Sequence, residues 1–176
     1  MISNQVEYKN ILLVSGTGRN VGKTTFVRSV IRNFSKHGIV AVKITPHFHN
    51  GDPGEILLQN EKFIIAREHR TETGKDSSKF LDEGAEKVYF IQVLDNHLPE
   101  AFFEFLKIEK ENPLMVIESG GLRNVLIPGI FCLITDGKGN KNNHFTEMAD
   151  MLVVNEKKQN IDLKGILVKS GTWIKE

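Results

Sequence analysis

Apolar residues fall along this chain in two patterns. Continuous runs at Ile11-Leu12-Leu13-Val14, Ile39-Val40-Ala41-Val42-Lys43-Ile44, Leu114-Met115-Val116-Ile117 and Ile130-Phe131-Cys132-Leu133-Ile134 have the length and β-branched content of strands buried on both faces. Residues 87–94, Met151-Leu152-Val153-Val154 and Ile166-Leu167-Val168 read as further strands. Between the runs, Phe26, Val27, Val30, Ile31 and Phe34 recur at the spacing of a helix with one apolar face, as do Ala101, Phe102, Phe105, Leu106 and Ile108. Gly38 sits where the first helix needs a residue free to take positive φ, and Pro99 belongs in the first turn of the second. Asp76-Ser77 opens a shorter helix that ends near Asp82, before Gly84, and one more short helix is expected around residues 146–149. Phe63-Ile64-Ile65-Ala66-Arg67-Glu68 is expected to pair with Glu55-Ile56-Leu57-Leu58 as a hairpin, and residues 69–75 read as a polar, mobile connection.

Strands alternating with helices predict a single-domain, doubly wound α/β fold over residues 1–176, with a mostly parallel sheet. Ligands of such folds bind outside the carboxyl ends of the strands. That rule singles out Lys43, Asp95, Glu118, Asp136 and Asn155, each of which closes or follows an apolar run.

Between the first strand and the first helix lies Gly16-Thr17-Gly18-Arg19-Asn20-Val21-Gly22-Lys23-Thr24-Thr25. Strand, glycine-rich turn and helix in that order make a phosphate cradle, because backbone N–H groups and a helix N-terminus converge on one anion. Lys23 would reach the outer phosphates of a nucleoside triphosphate, and the Thr24 hydroxyl would meet Mg²⁺. The usual pattern sets a glycine four residues before Gly-Lys-Ser/Thr, but here that position is Thr17. Counting from Gly16 leaves five intervening residues, a longer variant.

Composition narrows the reading. With 176 residues, 23 basic and 22 acidic side chains, the chain has no overall charge that would draw nucleic acid or an anionic membrane. A single cysteine, Cys132, excludes an internal disulfide and lies in an apolar run as a buried thiol. No run is long enough to span a bilayer and the N-terminus lacks a basic region followed by an apolar core, so a cytoplasmic protein is expected.

Several other residues carry candidate chemistry. Glu118 is a carboxylate at the tip of a buried strand, before Gly120-Gly121, and is placed to hold Mg²⁺ with Thr24. Lys43 interrupts an apolar run, so it either neutralises phosphate beside the glycine loop or snorkels to the surface. His47 and His49, with Asp52, are open to two readings: a metal site, or a switch loop facing the γ-phosphate. Arg19 is a phosphate clamp or a surface residue covering the loop. Asn155 stands where guanine-specific NTPases begin Asn-Lys-x-Asp, but Asn155-Glu156-Lys157-Lys158 lacks the aspartate, which leaves GTP and ATP both open.

The order of these features resembles the SIMIBI class of P-loop NTPases, and within it the MobB proteins of molybdopterin-guanine dinucleotide biosynthesis. Three stretches carry the resemblance: the glycine loop, Val42-Lys43-Ile44-Thr45-Pro46-His47-Phe48-His49, and residues 73–88, with Gly74-Lys75-Asp76-Ser77 and Gly84-Ala85-Glu86. The resemblance implies the P-loop NTPase fold, nucleotide binding, slow NTP hydrolysis, a homodimer and an accessory role beside a partner enzyme of cofactor biosynthesis. Two features depart from it. MobB loops usually keep the standard spacing, whereas this longer loop is similar to that of dethiobiotin synthetase, and Glu118-Ser119-Gly120-Gly121 resembles a segment of the urease accessory GTPase UreG. An ATP-dependent ligase or kinase acting on a small acid, and a non-catalytic nucleotide-sensing subunit, therefore stand as alternatives.

Overall fold

The computed structural model describes residues 5–138, 141–155 and 161–176. The chain runs through β1 (Val6–Gly16), α1 (Lys23–Phe34), β2 (Val40–Thr45), β3 (Glu55–Gln59), β4 (Phe63–Glu68), α2 (Asp76–Asp82) and β5 (Lys87–Val93). It continues through α3 (Leu98–Ile108), β6 (Met115–Glu118), β7 (Leu126–Thr135), β8 (Met151–Val154), β9 (Ile166–Lys169) and β10 (Thr172–Lys175). Eight strands form one sheet in the order β3-β4-β5-β2-β6-β1-β7-β8. From β5 to β8 every pairing is parallel, while the β3–β4 hairpin joins β5 antiparallel.

The continuous apolar runs follow from helices covering both faces of this sheet. Ile11, Leu13, Val42 and Ile117 point to the side where α3 lays Ala101, Phe102 and Phe105. Their neighbours Leu12, Val14, Ala41 and Val116 point to the other side, against Phe26, Val27, Val30 and Ile31 of α1 and Phe80 of α2. All of these are fully buried, and each large aliphatic or aromatic side chain so placed contributes about 1.5–3 kcal/mol. Cys132 belongs to the second layer, and burial pushes its thiol up to about 12, which makes it inert at neutral pH. Among the described residues no helix is long and apolar enough to cross a membrane.

The structure departs from expectation in four places. The run at 166–168 is a strand, but it pairs with β10 as a separate antiparallel hairpin instead of extending the main sheet. Its residues alternate, with Ile166 buried and Leu167 exposed, which is the pattern of a strand with one covered face. Trp173 on β10 caps the α1 side of the core: its ring meets Phe34 edge-on at 5.2 Å and its Nε1 donates to the Met115 carbonyl at 2.9 Å. The expected helix around 146–149 is a 3-10 helix at Asn143–Met148, which buries Phe145 against Phe131 at 5.5 Å.

β7 begins earlier than its apolar run, at Leu126, and takes in Pro128. The β1–β7 register shifts between Tyr8 and Leu12, and this irregularity accommodates a residue that cannot donate to a ladder. Gly129 lies within it, where a Cβ would come within 2.3 Å of the Lys9 carbonyl oxygen. Finally, residues 69–75 are tied down. Arg70 binds the buried Glu68 carboxylate and Asp52, and the Thr73 N–H donates to Ser78 Oγ at 3.1 Å.

Trp173→Ala is expected to cost about 3–5 kcal/mol of unfolding free energy, and Trp173→Phe, which loses only the N–H donor and part of the ring, about 1–2 kcal/mol. Urea denaturation of the two variants separates the hydrogen bond from the packing.

Candidate functional site

Sheet order decides where the polar strand ends meet. β1 lies between β6 and β7, and the chain leaves its carboxyl end through the glycine loop into α1. The carboxyl ends of β1, β2 and β6 are adjacent, and together they border a cavity of about 550 Å³. Its walls include Gly16, Lys23, Thr24, Lys43, Glu118 and Asp76.

The glycine loop is shaped by close approach. A Cβ on Gly16 would lie 2.8 Å from both the Lys23 stem and Val21, and Gly22 has φ 104° with the Asn155 amide 2.4 Å from where its Cβ would be. Neither position accepts a larger residue without rearrangement. Asn20 also takes positive φ, at 57°, which asparagine tolerates better than most residues. Gly22 stands at the N-cap of α1 and brings no side-chain acceptor, and no acidic residue occupies the first turn. The N-terminal N–H groups of this helix are thus uncapped by side chains, on a wall of the cavity formed by Gly22, Lys23, Thr24 and Thr25. Such an end carries partial positive charge. Lys23 Nζ lies back over the loop, donating to the Gly18 carbonyl at 2.7 Å. Burial lowers its pKa, helped by the nearby Lys43 and Lys141 charges and opposed by Glu118 and Asp76.

The loop is braced from β7, the neighbour of β1, and from the end of β8 beyond it. Thr17, where the usual pattern has glycine, is buried: its N–H donates to the Ile134 carbonyl at 3.0 Å and its hydroxyl pairs with that of Thr135 at 2.9 Å. Asn155 donates its side-chain N–H to the Val21 carbonyl at 2.8 Å. In this structure the side chain expected to meet a base is a strut behind the loop; residues 156–158, the rest of that stretch, lie outside the described residues. Asn142 Nδ2 reaches the Gly16 and Gly120 carbonyls, both at 3.1 Å, and the Lys141 N–H donates to the Thr17 carbonyl at 2.9 Å.

Opposite the loop is a charged knot. Lys43 Nζ contacts Asp76 Oδ2 at 2.6 Å and Glu118 Oε1 at 3.0 Å. The Thr24 hydroxyl lies 3.0 Å from Glu118 Oε2 and 3.2 Å from Asp76 Oδ2, and donates its one proton between them. Lys43 therefore points to the carboxyl edge of the sheet and does not snorkel away. Burial opposes its charge, but Glu118 and Asp76 outweigh that cost and raise its pKa. Asp76 shows the mirror case: burial pushes its pKa up, and Lys43 with Lys79 pulls it below the ordinary carboxylate range.

Asp76 was not among the strand-end candidates, because it arrives from the start of α2 rather than from a strand. Glu68 holds that start: its buried carboxylate meets Ser77 Oγ at 3.4 Å and Arg70 Nε at 2.9 Å. The signal in the sequence is Gly74-Lys75-Asp76-Ser77, an acidic residue heading a short helix within a stretch that carries the resemblance to MobB, with no site role attached to Asp76. Lys141 and Asn142 were also missed, since they lie in a polar loop whose composition says nothing of where it folds.

Other candidates are placed as follows. Arg19 is exposed on the cavity rim. His47 lines the cavity, whereas His49 packs its ring beside Phe90, and Asp52 pairs with Arg70. The two histidines and Asp52 are not brought together, and among the described residues no cluster of three His, Cys, Asp or Glu side chains is suited to a metal. Asp136 accepts from the Lys138 N–H at 3.0 Å, and Asp95 borders a neighbouring cavity.

No protein-family model, curated protein or solved structure gives a significant match to this chain.

The knot has a defined pH range. A raised lysine pKa contributes stability below the ordinary lysine value of about 10.4 and loses it as pH rises through the folded value; a lowered aspartate pKa contributes above about 3.9 and loses it as pH falls through the folded value. Lys43→Met is expected to cost about 2–3 kcal/mol at pH 7–8, less than the ~3–5 of a fully buried pair because Asp76 is about a third exposed. Thermal melts across pH should show the deficit narrowing as pH falls below the ordinary aspartate value of about 3.9, where the stabilisation that Lys43 gives ionised Asp76 is lost.

Proposed function

We propose that the chain binds a nucleoside triphosphate at the glycine loop, with Mg²⁺, and hydrolyses it slowly. The observation that carries this reading is the convergence of an uncapped helix N-terminus, Lys23 and a Thr24–Glu118–Asp76 oxygen set on one cavity. The first two suit phosphate oxygens. Hydroxyl and carboxylate oxygens are the donors that Mg²⁺ selects, and it takes few of them because it keeps much of its water shell. Thr24, Glu118 and Asp76 would hold the ion, which supplies positive charge against the β- and γ-phosphates.

In this reading the loop residues 16–25 wrap the phosphates through their backbone, Lys23 leaves the Gly18 carbonyl for a phosphate oxygen, and Lys43 holds Asp76 ionised while pairing with Glu118. Catalysis is then positional and electrostatic. Both carboxylates nearest the loop are engaged by Lys43, so neither serves as a free base for water, and turnover is slow. GTP and ATP both fit, since Asn155 is turned to the loop. The resemblance to MobB supports an accessory role in molybdopterin-guanine dinucleotide biosynthesis, as a dimer beside a partner enzyme. The stretch that carries it most specifically is the one that delivers Asp76 to the site.

Lys23→Ala is expected to weaken MgATP or MgGTP binding by about 100-fold or more in titration calorimetry, with the melting temperature little changed. Unchanged affinity for both nucleotides sinks the reading. Asp76→Asn and Thr24→Ala should instead flatten the Mg²⁺ dependence of nucleotide affinity.

A further inference from the structure

Beside the first cavity lies a second, of about 350 Å³, on the α3 side of the sheet. The two share Ile44, Pro46, Ser119, Gly120, Lys141 and Asn142, so they meet at a common neck between the ends of β2 and β6 and the loop after β7. Lys141 is the one charged side chain of that neck. Beyond it the walls are apolar, from Val93, Leu98, Pro99 and Val125, and are interrupted by Asp95 and Asn124. Lys141, Asp95 and Asn124 are exposed at the mouth of this cavity, and no hydrogen bond or ion pair engages their side chains among the described residues. The cavity thus has a cation at the neck, an apolar middle, and a carboxylate with an amide in the wall beyond.

From this lining we infer that the second cavity binds a small co-substrate of three parts: an anionic oxygen group, carboxylate or phosphate, at the neck; an apolar body; and an N–H or O–H donor at the Asp95 and Asn124 wall. The inference rests on nucleotide binding in the first cavity, because the neck sets the anionic group beside the space assigned to the outer phosphates. A volume of this size suits roughly 10–20 non-hydrogen atoms, at the lower end of the range of small-molecule pockets. Apolar walls and polar ends share the binding, and the polar ends set direction: Lys141, Asp95 and Asn124 are exposed in the free chain, so a molecule that covers them without an anion or a donor removes their water and returns no partner.

The test uses the full chain saturated with Mg²⁺ and a non-hydrolysable triphosphate, titrated with 4-(aminomethyl)benzoate and with 4-(aminomethyl)phenyl phosphate. Heteronuclear NMR is expected to show shifts centred on Asp95, Asn124 and Lys141 for both, and the tighter of the two identifies the anion. 4-Methylbenzoate, without the donor, and methyl 4-(aminomethyl)benzoate, without the anion, should each bind about tenfold more weakly. Asp95→Asn should weaken the amine-bearing probes by a similar factor and leave 4-methylbenzoate and the triphosphate unaffected. Gly121, at φ −125°, has a backbone that any residue adopts, and a Cβ there would press on the Leu98 side chain at 3.3 Å, so Gly121→Leu should shift Leu98, fill the cavity and abolish probe binding with triphosphate affinity retained. Probe shifts elsewhere, none at these residues up to about 10 mM, or an Asp95→Asn variant that binds the amines equally well, overturn the inference. Failure of the triphosphate itself to bind overturns the proposed function instead.

Discussion

A lysine in the middle strand of a sheet that has protein on both faces needs a partner, and Lys43 has two. Its ammonium lies between Asp76 and Glu118, and the position of each is fixed by a different part of the fold. Glu118 ends β6, which pairs with both β1 and β2; Asp76 opens α2, whose start is tethered through Ser77 to the buried Glu68 of β4. The charge of Lys43 thus joins the parallel core to the antiparallel hairpin side of the sheet. Removing it leaves two carboxylates facing each other over Thr24, the arrangement in which a divalent cation becomes most strongly attracted.

Much of the architecture was legible in the sequence because the sheet is covered on both faces. A strand buried on both sides has no polar face to write, so its apolar run is continuous and its ends are clear; the first strand, the second and β6 are examples. Elements with one covered face were harder to place. The run at 166–168 is the same length as β6's apolar stretch, and nothing in its composition distinguishes a sheet strand from an arm of a hairpin closed by Trp173. The early start of β7 was hidden by Pro128, which argues against a central strand unless an irregularity absorbs it.

The site was legible to the degree that its residues are local. The glycine loop, Lys23 and Thr24 are contiguous, and Lys43 and Glu118 stand at strand ends, so a strand-end rule reaches them. Asp76, Lys141 and Asn142 enter from a helix start and a loop, and only the fold brings them near. Asn155 shows the reverse case: its position at a strand end was visible, but the direction of its amide, toward the Val21 carbonyl, depends on Gly22 having no side chain.

The bracing of the glycine loop also bears on the order in which the molecule comes together. Thr17 and Thr135 are 118 residues apart, and Asn155 reaches back 134 residues to Val21. A loop that looks like a self-contained peptide motif is held in shape by partners from late in the chain, on the neighbouring strand β7 and just past β8. Closing contacts of that span is slow and comes after the local helices and hairpins. Moreover β8, which carries Asn155 just beyond its end, is an edge strand that pairs with β7 alone among the described residues. Fraying of that edge would release the loop while the core stayed folded, so the readiness of the site is tied to an edge of the sheet rather than to its centre.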